Sequence, residues 1–297
     1  MIMRFFRKLA RAPAWIYLKR DERAWVGFIL AAIIVTIAIF AGFIAPHGEN
    51  ERLVNEPDPI LGYARPPSTS FILGLDSQGR DVFSRVIYGS RVALEVGILL
   101  VALEGSVGII LGLIAGYYGG KIDEIVMRLV DVALSFPGLV LAAAFVGFFG
   151  TGLWKLIVAL SLTGWAGFAR ITRAQVLAAK EEIYVESARA IGERDRTIIF
   201  KYIFPNSISP LIVIATMTLA AAIILATSMS FLGLGIQPPT ADWGGMLTDA
   251  RSEVLDGIWW TALFPGLAII ITVLGFNFLG DALRDALDPR LREYKYV

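Results

Sequence analysis

The chain has 297 residues, of which 56% are hydrophobic and only 18% are charged, and its formal net charge is +1. Soluble domains usually carry about 25% charged residues, so this composition argues against a soluble protein, and the near-neutral balance creates no field that would attract nucleic acid. Cysteine is absent and His47 is the only histidine, which excludes disulfide frameworks and thiolate metal sites and makes His47 a surface residue rather than a metal ligand.

The apolar residues are concentrated in six blocks along the chain. The first block has no charged residue, and about 20 helical residues are enough to cross a bilayer core roughly 30 Å thick. No block alternates with the period of a barrel strand, so we predict an all-α polytopic membrane protein with about six transmembrane helices. The fourth block is short and is expected to borrow helix from the residues after it. The blocks are 24–46, 92–118, 125–149, 153–168, 211–234 and 258–279.

The distribution of lysine and arginine predicts how these spans are oriented. With the N-terminus in the cytoplasm, 20 of the 27 Lys and Arg residues fall in cytoplasmic segments and seven in external ones, as the positive-inside rule requires. Both termini are therefore predicted to be cytoplasmic. No cleaved signal peptide is expected, because the basic region and the apolar block that follows it are too long. The predicted order is a cytoplasmic segment 1–23, a first transmembrane anchor 24–46, an external loop 47–91, a five-span core 92–287 that includes a cytoplasmic loop 180–206, and a cytoplasmic tail 288–297.

Four residues are candidates for a pathway or a gate. Glu104 lies in the middle of the second block, where a charge costs at least about 2.5 kcal/mol and normally faces a cavity or a partner. Three interpretations are open: Glu104 lines a path, it pairs with a neighbouring helix, or its carboxyl group is protonated. Trp165 is an aromatic residue of the fourth block that suits sugars and side chains equally. Pro238 and Trp243 lie in the external segment 235–256, which either connects two spans or caps a pathway.

Motifs of the common enzymes are missing. The sequence has no GxxxxGK[ST] loop for binding ATP and no HExxH motif, and a single histidine makes a Ser–His pair improbable. We therefore expect a protein that moves or anchors something, with no catalytic residue, no bound metal and no cofactor of its own.

The predicted cytoplasmic loop has the pattern of two short amphipathic helices. Apolar residues recur on both sides of Gly192, which can adopt a left-handed conformation without steric cost and so allow one helix to stop and another to start at an angle. Asp195 stands where a cap for the second helix belongs. The exposed side of such a helix–turn–helix either docks into a groove on another protein or lies among lipid headgroups.

This loop resembles the EAA loop of the permeases of ABC importers, whose pattern is E-A-A-x3-G-x9-I-x-L-P. Here the loop has Glu186-Ser187-Ala188, then Gly192 after three residues, and Tyr202-Ile203-Phe204-Pro205 after nine more. Ser187, Tyr202 and Phe204 depart from the pattern. The resemblance implies that the loop is the coupling helix that seats in a cleft of an ATP-binding subunit, with these residues in the contact: Glu186, Ser187, Ala188, Ile191, Gly192, Asp195 and Pro205.

Three further stretches are similar to the C-type subunits of dipeptide and oligopeptide permeases. Residues 73–85 resemble their LGTDxxGRDVxSR segment, with Leu75 in place of the usual threonine. Residues 232–247 resemble their LGLGxQPPxxxWGxML stretch, and residues 288–292 their DPRLR. Four motifs in the same order identify the chain as a member of this family.

The family implies a type I ABC importer permease core with one extra N-terminal span. It also implies a homologous second permease, two ATP-binding subunits that carry ATP and Mg, an extracellular or periplasmic solute-binding protein, and a place in the plasma (inner) membrane of a bacterium or archaeon. Oligopeptides are the expected substrate, and oligosaccharides, nickel chelates and glutathione are alternatives. A secondary transporter is a distant alternative, because it would require an inverted repeat, which the sequence lacks.

Overall fold

The computed structural model describes residues 22–287, so residues 1–21 and the predicted tail 288–297 with its DPRLR stretch lie outside the described residues. Within 22–287 the chain forms ten α-helices and only isolated β-bridges. They are α1 (Glu22–Ile39), α2 (Ala41–Ile44), α3 (Val82–Tyr118), α4 (Gly120–Ser135), α5 (Gly138–Phe149), α6 (Leu153–Lys180), α7 (Ile183–Ala190), α8 (Asp195–Phe231, with a π-helical turn at Ile198–Ile203), α9 (Trp243–Glu253) and α10 (Trp260–Leu287).

Most of the predicted spans are present as long apolar helices. Four described helices, α1, α3, α8 and α10, are long and apolar enough to cross a membrane, and the bent pair α4–α5 provides a fifth candidate. The fourth predicted block lies within α6, which continues to Lys180 as expected for a short apolar block. The all-α polytopic architecture is therefore confirmed.

The third predicted block, 125–149, is not one straight helix. Its two halves, α4 and α5, meet at a break where the chain bends by 83°. Pro137 lies at the break and has no backbone N–H to continue the helix, and Phe136 before it adopts an extended conformation, as residues before proline prefer.

Two helices extend into segments that the composition predicts as loops. The predicted external loop 47–91 is wrong at its end, because α3 already begins at Val82, ten residues before the apolar block. Asp81 caps this helix by accepting a hydrogen bond from the backbone N–H of Ser84 at 2.9 Å. The segment 235–256 also contains a helix, α9, which is capped by Asp242 through the N–H of Gly245 at 2.9 Å.

Helices α3 and α6 pack closely along a stripe of glycines. Gly108, Gly112 and Gly116 of α3 follow one another at intervals of four residues and face the backbone of α6. A methyl group on Gly112 would lie 2.6 Å from the carbonyl oxygen of Ala169. In lipid, helix pairs associate through such close packing because there is no hydrophobic driving force between them.

The first and last described helices also pair through glycines. A Cβ on Gly27 of α1 would lie 2.6 Å from the backbone nitrogen of Leu279, and one on Gly275 of α10 would lie 2.9 Å from the Cβ of Leu30. The predicted N-terminal anchor therefore packs directly on the final helix of the permease core, at the edge of the bundle.

Three buried clusters follow α3 from one end to the other. Near its beginning, Val82 and Leu94 join a cluster formed with α1, α8, α9 and α10. In the middle, Val96 and Leu100 join a cluster formed with α5, α6 and α8. At its end, Leu113 and Tyr117 join a cluster with α6, α7 and the beginning of α8. Helix α3 therefore connects the two ends of the bundle.

We expect Gly112→Ala to destabilise the protein by about 1–3 kcal/mol, because the added methyl group forces α3 away from α6. Thermal unfolding in detergent measures the effect. Gly167→Ala is the matched control, since no atom outside its own turn of α6 lies within 4 Å of the added methyl group. Equal unfolding temperatures for the two variants would contradict the close packing.

Candidate functional site

The first candidate site is the coupling segment, which we define as residues 180–206. Its α7 has two faces. Val185 and Ala188 are buried against the ends of α3 and α6, whereas Ile183 and Ile191 are 79% and 76% exposed. Glu186 and Ser187 lie on the exposed face. The segment thus has one side anchored to the bundle and one apolar side without a partner among the described residues.

Gly192 produces the turn between the two helices of the segment. Its φ is +78°, in the left-handed region that favours glycine. Its N–H donates to the carbonyl oxygen of Arg189 at 2.9 Å, and the N–H of Glu193 donates to that of Ala188 at 3.1 Å, so the turn satisfies the last carbonyl groups of α7.

The prediction that Asp195 caps the second helix is wrong. Arg194 occupies the capping position and no side chain caps the helix. Asp195 is the first helical residue, and its carboxylate Oδ1 accepts a hydrogen bond of 2.7 Å from the hydroxyl of Tyr117 at the end of α3. The sequence offers no signal for Tyr117, because a tyrosine at the end of an apolar block is typical of any membrane interface.

Residues that depart from the EAA pattern contribute to packing. Tyr202 and Phe204 are partly buried and pack on the same cluster as Ile198 and Ile203, so they fill the positions that aliphatic residues hold in the pattern. Pro205 lies exposed in the first turn after the π-helical residues. The inner face of the segment is therefore retained despite the substitutions.

The second candidate site is at the opposite end of the bundle, in a platform that we define as residues 47–81 together with α9. Here Arg80 donates to Asp76 with an Nε–Oδ2 distance of 2.6 Å, and both side chains are less than 10% exposed. Asp249 of α9 lies 3.4 Å from the Arg80 guanidinium. The stretch 73–85 is thus joined to α9 by an ion pair that is buried on the Arg80 side and partly exposed on the Asp249 side.

Further hydrogen bonds join the platform to the helices. Glu253 of α9 accepts from the N–H of Ser77 at 3.1 Å, and the indole N–H of Trp260 donates to the carbonyl oxygen of Leu75 at 3.0 Å. Burial raises the pKa of the Asp242 carboxyl above its ordinary value, while the N–H groups of Gly245 and Gly244 act in the opposite direction. The platform is therefore a folded unit rather than a solvated connector.

Trp243 is buried where α9 meets the beginning of α3. Its side chain is 1% exposed, its indole N–H donates to the carbonyl oxygen of Val86 at 2.9 Å, and its ring lies against Gly89 of α3. These contacts attach α9 to the beginning of α3. Pro238, by contrast, is exposed in the connection before α9.

Glu104 and Trp165 lie between helices. Glu104 is 4% exposed and its carboxylate fills the space left by the missing side chain of Gly164 on α6. Within residues 22–287 it forms no hydrogen bond or ion pair, and in this conformation it faces α6. Trp165 is half-buried next to α4, and its indole N–H donates to the carbonyl oxygen of Leu162 at 3.0 Å.

Two family models match the chain. The model described as binding-protein-dependent transport system inner membrane component matches residues 108–293, which is more than half of the sequence. The model described as N-terminal TM domain of oligopeptide transport permease C matches residues 12–66. Among residues 22–287, no group of three or more His, Asp or Glu residues is arranged to hold a metal ion.

Individual proteins are similar over nearly the whole chain. The glutathione transport system permease protein GsiD of Pectobacterium atrosepticum is 42% identical, over 94% of this chain and 90% of its own. The dipeptide transport system permease protein DppC of Bacillus subtilis is 40% identical, over 94% of this chain and 85% of its own. One chain of the inward-facing MetNI methionine ABC transporter shares the fold, with a TM-score of 0.53 at 20% identity over 69% of this chain and 96% of that one.

We expect Arg80→Ala to destabilise the platform by about 3 kcal/mol, because it leaves the buried carboxylate of Asp76 without its closest cation. Arg170→Ala is the control. Its ion pair with Asp131 is more than half exposed on both sides, and such pairs contribute at most about 1 kcal/mol. Thermal unfolding and proteolysis of residues 47–81 measure the difference, and equal losses in the two variants would refute a structural role for the buried pair.

Proposed function

We propose that this chain, which belongs to the family of binding-protein-dependent transport system inner membrane components, forms half of the translocation pathway of an ATP-driven importer for short peptides. It is a permease component, and its similarity to dipeptide and glutathione permeases supports the substrate class, since glutathione is itself a tripeptide. Di- or oligopeptides are the main substrate proposed, and glutathione is the alternative.

The observation that supports coupling to ATP is the exposed apolar face of the coupling segment. Ile183 and Ile191 lie at the two ends of α7, and both side chains are more than three-quarters exposed. The opposite face of α7 packs on α3 and α6. An amphipathic helix whose apolar residues face outward is suited to a groove on another protein. The occupant that we propose is an ATP-binding subunit, which binds the ATP and Mg of the importer.

We assign the remaining partners to the two ends of the bundle. The coupling segment lies in the cytoplasm, where ATP is available, and the platform lies outside, where a solute-binding protein delivers substrate. Both chain termini are then cytoplasmic. A second, homologous permease completes the pathway, and a second ATP-binding subunit engages it. Lipid surrounds the assembly, and nucleic acid has no part in it.

Transport proceeds by alternating access in this proposal. ATP binding closes the ATP-binding subunits and moves the coupling segments that are seated in them. The helices packed on each coupling segment move with it, and the space between the two permeases opens to one side of the membrane at a time. Two conformations that differ by a few kcal/mol are enough for such a switch.

We expect Gly192→Val to uncouple ATP hydrolysis from import. The backbone at Gly192 is left-handed, a conformation that a β-branched residue rarely adopts, so the substitution distorts the turn that presents Ile191. In vesicles that contain the complete importer, we expect uptake to fall about tenfold or more while ATP hydrolysis continues, given a strain of 1–2 kcal/mol at this residue. The measurement is uptake and ATP hydrolysis in the same vesicles.

The control for this variant is Gly257→Val. Gly257 has a φ of +84° and, like Gly192, no neighbouring atom within 4 Å of an added Cβ, so the backbone strain is matched at the opposite end of the bundle. Undiminished uptake by Gly192→Val, or the same loss in both variants, would rule out the coupling role.

The substrate class has its own test. Vesicles with the complete importer and its solute-binding protein should accumulate labelled dialanine when ATP is supplied, and labelled glutathione in the alternative. Labelled maltotriose is the comparison for the oligosaccharide hypothesis. Accumulation of maltotriose without either peptide would overturn the proposed substrate class but leave the permease assignment intact.

A further inference from the structure

Helix α3 touches both candidate sites, and so does α8, which begins in the coupling segment and whose Ser230 carbonyl oxygen accepts from the hydroxyl of Thr248 in α9. It contains 37 residues, which at 1.5 Å per residue corresponds to about 55 Å, well beyond the roughly 30 Å of a bilayer core. At its beginning, the hydroxyl of Ser84 accepts from the backbone N–H of His47, and Trp243 of α9 donates to the carbonyl oxygen of Val86. A displacement of α3 therefore acts directly on the platform.

At the other end of α3, Tyr117 is the residue that meets the coupling segment. Its side chain is 6% exposed and lies in the cluster formed with α6, α7 and α8. Its hydroxyl donates to the carboxylate of Asp195 at 2.7 Å. The guanidinium of Arg189, at the end of α7, lies 5.5 Å from the centre of its ring. One side chain thus contacts residues on both sides of the Gly192 turn.

The end of α6 is attached to the same residue. The ammonium group of Lys180, the last residue of α6, donates to the carbonyl oxygen of Tyr117 at 2.9 Å. Arg173 of α6 pairs with Asp123 at the beginning of α4. The end of α3, the beginning of α4 and the last turns of α6 are therefore joined, and the bond between Tyr117 and Asp195 connects them to the second helix of the coupling segment.

We propose that Tyr117 is a positioning residue for transport, whose hydroxyl bond to Asp195 makes α3 follow the coupling segment when that segment moves. The inference rests on the proposed function, because it assumes that an ATP-binding subunit moves the segment. A hydrogen bond to a charged acceptor is directional and stronger than one between neutral groups, and this one is part-buried, whereas the surrounding aliphatic contacts allow surfaces to slide. The bond therefore restricts the segment to moving with α3, and α3 transmits the movement to the platform.

The test is Tyr117→Phe in the complete importer reconstituted in vesicles, with labelled dialanine or labelled glutathione as the substrate. The variant keeps the ring and loses only the hydroxyl. We expect the substrate imported per ATP hydrolysed to fall by about tenfold, the factor that corresponds to one hydrogen bond to a charged group, while ATP hydrolysis continues. Asp195→Ala should give the same loss, and the double variant should lose no more than either single variant.

Two variants serve as controls. Asp195→Asn retains an oxygen that can accept from the Tyr117 hydroxyl but loses the charge, so the substrate imported per ATP hydrolysed should fall less than in Asp195→Ala. Tyr118→Phe removes the hydroxyl of the neighbouring tyrosine, which is 50% exposed and packs edge to face on Tyr117, and should leave this ratio unchanged.

The outcomes separate this inference from the proposed function. If Tyr117→Phe imports as much substrate per ATP hydrolysed as Tyr118→Phe does, while Gly192→Val uncouples the importer, the role of Tyr117 is refuted. The coupling role of the segment then still stands. If Tyr117→Phe lowers uptake and ATP hydrolysis in proportion, its hydroxyl serves folding alone and the inference is also refuted. If neither Gly192→Val nor Tyr117→Phe changes the ratio, the proposed coupling itself fails.

Discussion

The close contact between α3 and α6 is the constraint on which both candidate sites depend. Three glycines of α3 allow its backbone to approach that of α6, and in lipid this packing replaces the hydrophobic force that joins helices in water. The contact brings the ends of the two helices together. There Tyr117 and Lys180 meet, and the coupling segment finds the buried surface that anchors its inner face. A wider separation would leave that segment without a support.

Sequence alone predicts the helical class, most of the spans and the position of the coupling segment, because apolar blocks and a glycine between amphipathic helices are local signals. It misplaces the beginning of α3 and overlooks α9, since residues 82–91 and α9 contain charged residues and are stabilised by contacts far along the chain. Asp195 illustrates the same limit. Its sequence position indicates a helix cap, but a tyrosine 78 residues away takes its carboxylate as an acceptor, and no local pattern predicts such a partner.

The motifs that identify the family are concentrated at two places in the structure. Residues 73–85 and the stretch around Trp243 are far apart in sequence, yet Arg80 lies next to Asp249, and Trp243 rests on α3 just after the first motif ends. Both stretches contribute residues to the platform or to its contact with α3. The EAA-like loop is at the other end and has a different task, which is to present Ile183 and Ile191. Helix α3 joins the two without belonging fully to either.

The pairing of α1 with α10 has a consequence for how the protein is made. Gly27 of α1 lies against the backbone of α10, and Gly275 of α10 lies against Leu30 of α1. The two helices therefore have complementary surfaces at this contact. A ribosome delivers α1 to the membrane long before α10 exists. Until synthesis is nearly finished, α1 lacks the surface that matches it best, and a nascent chain that stops early never acquires that surface. The contact between α1 and α10 therefore forms only after the last helix of the bundle has been inserted.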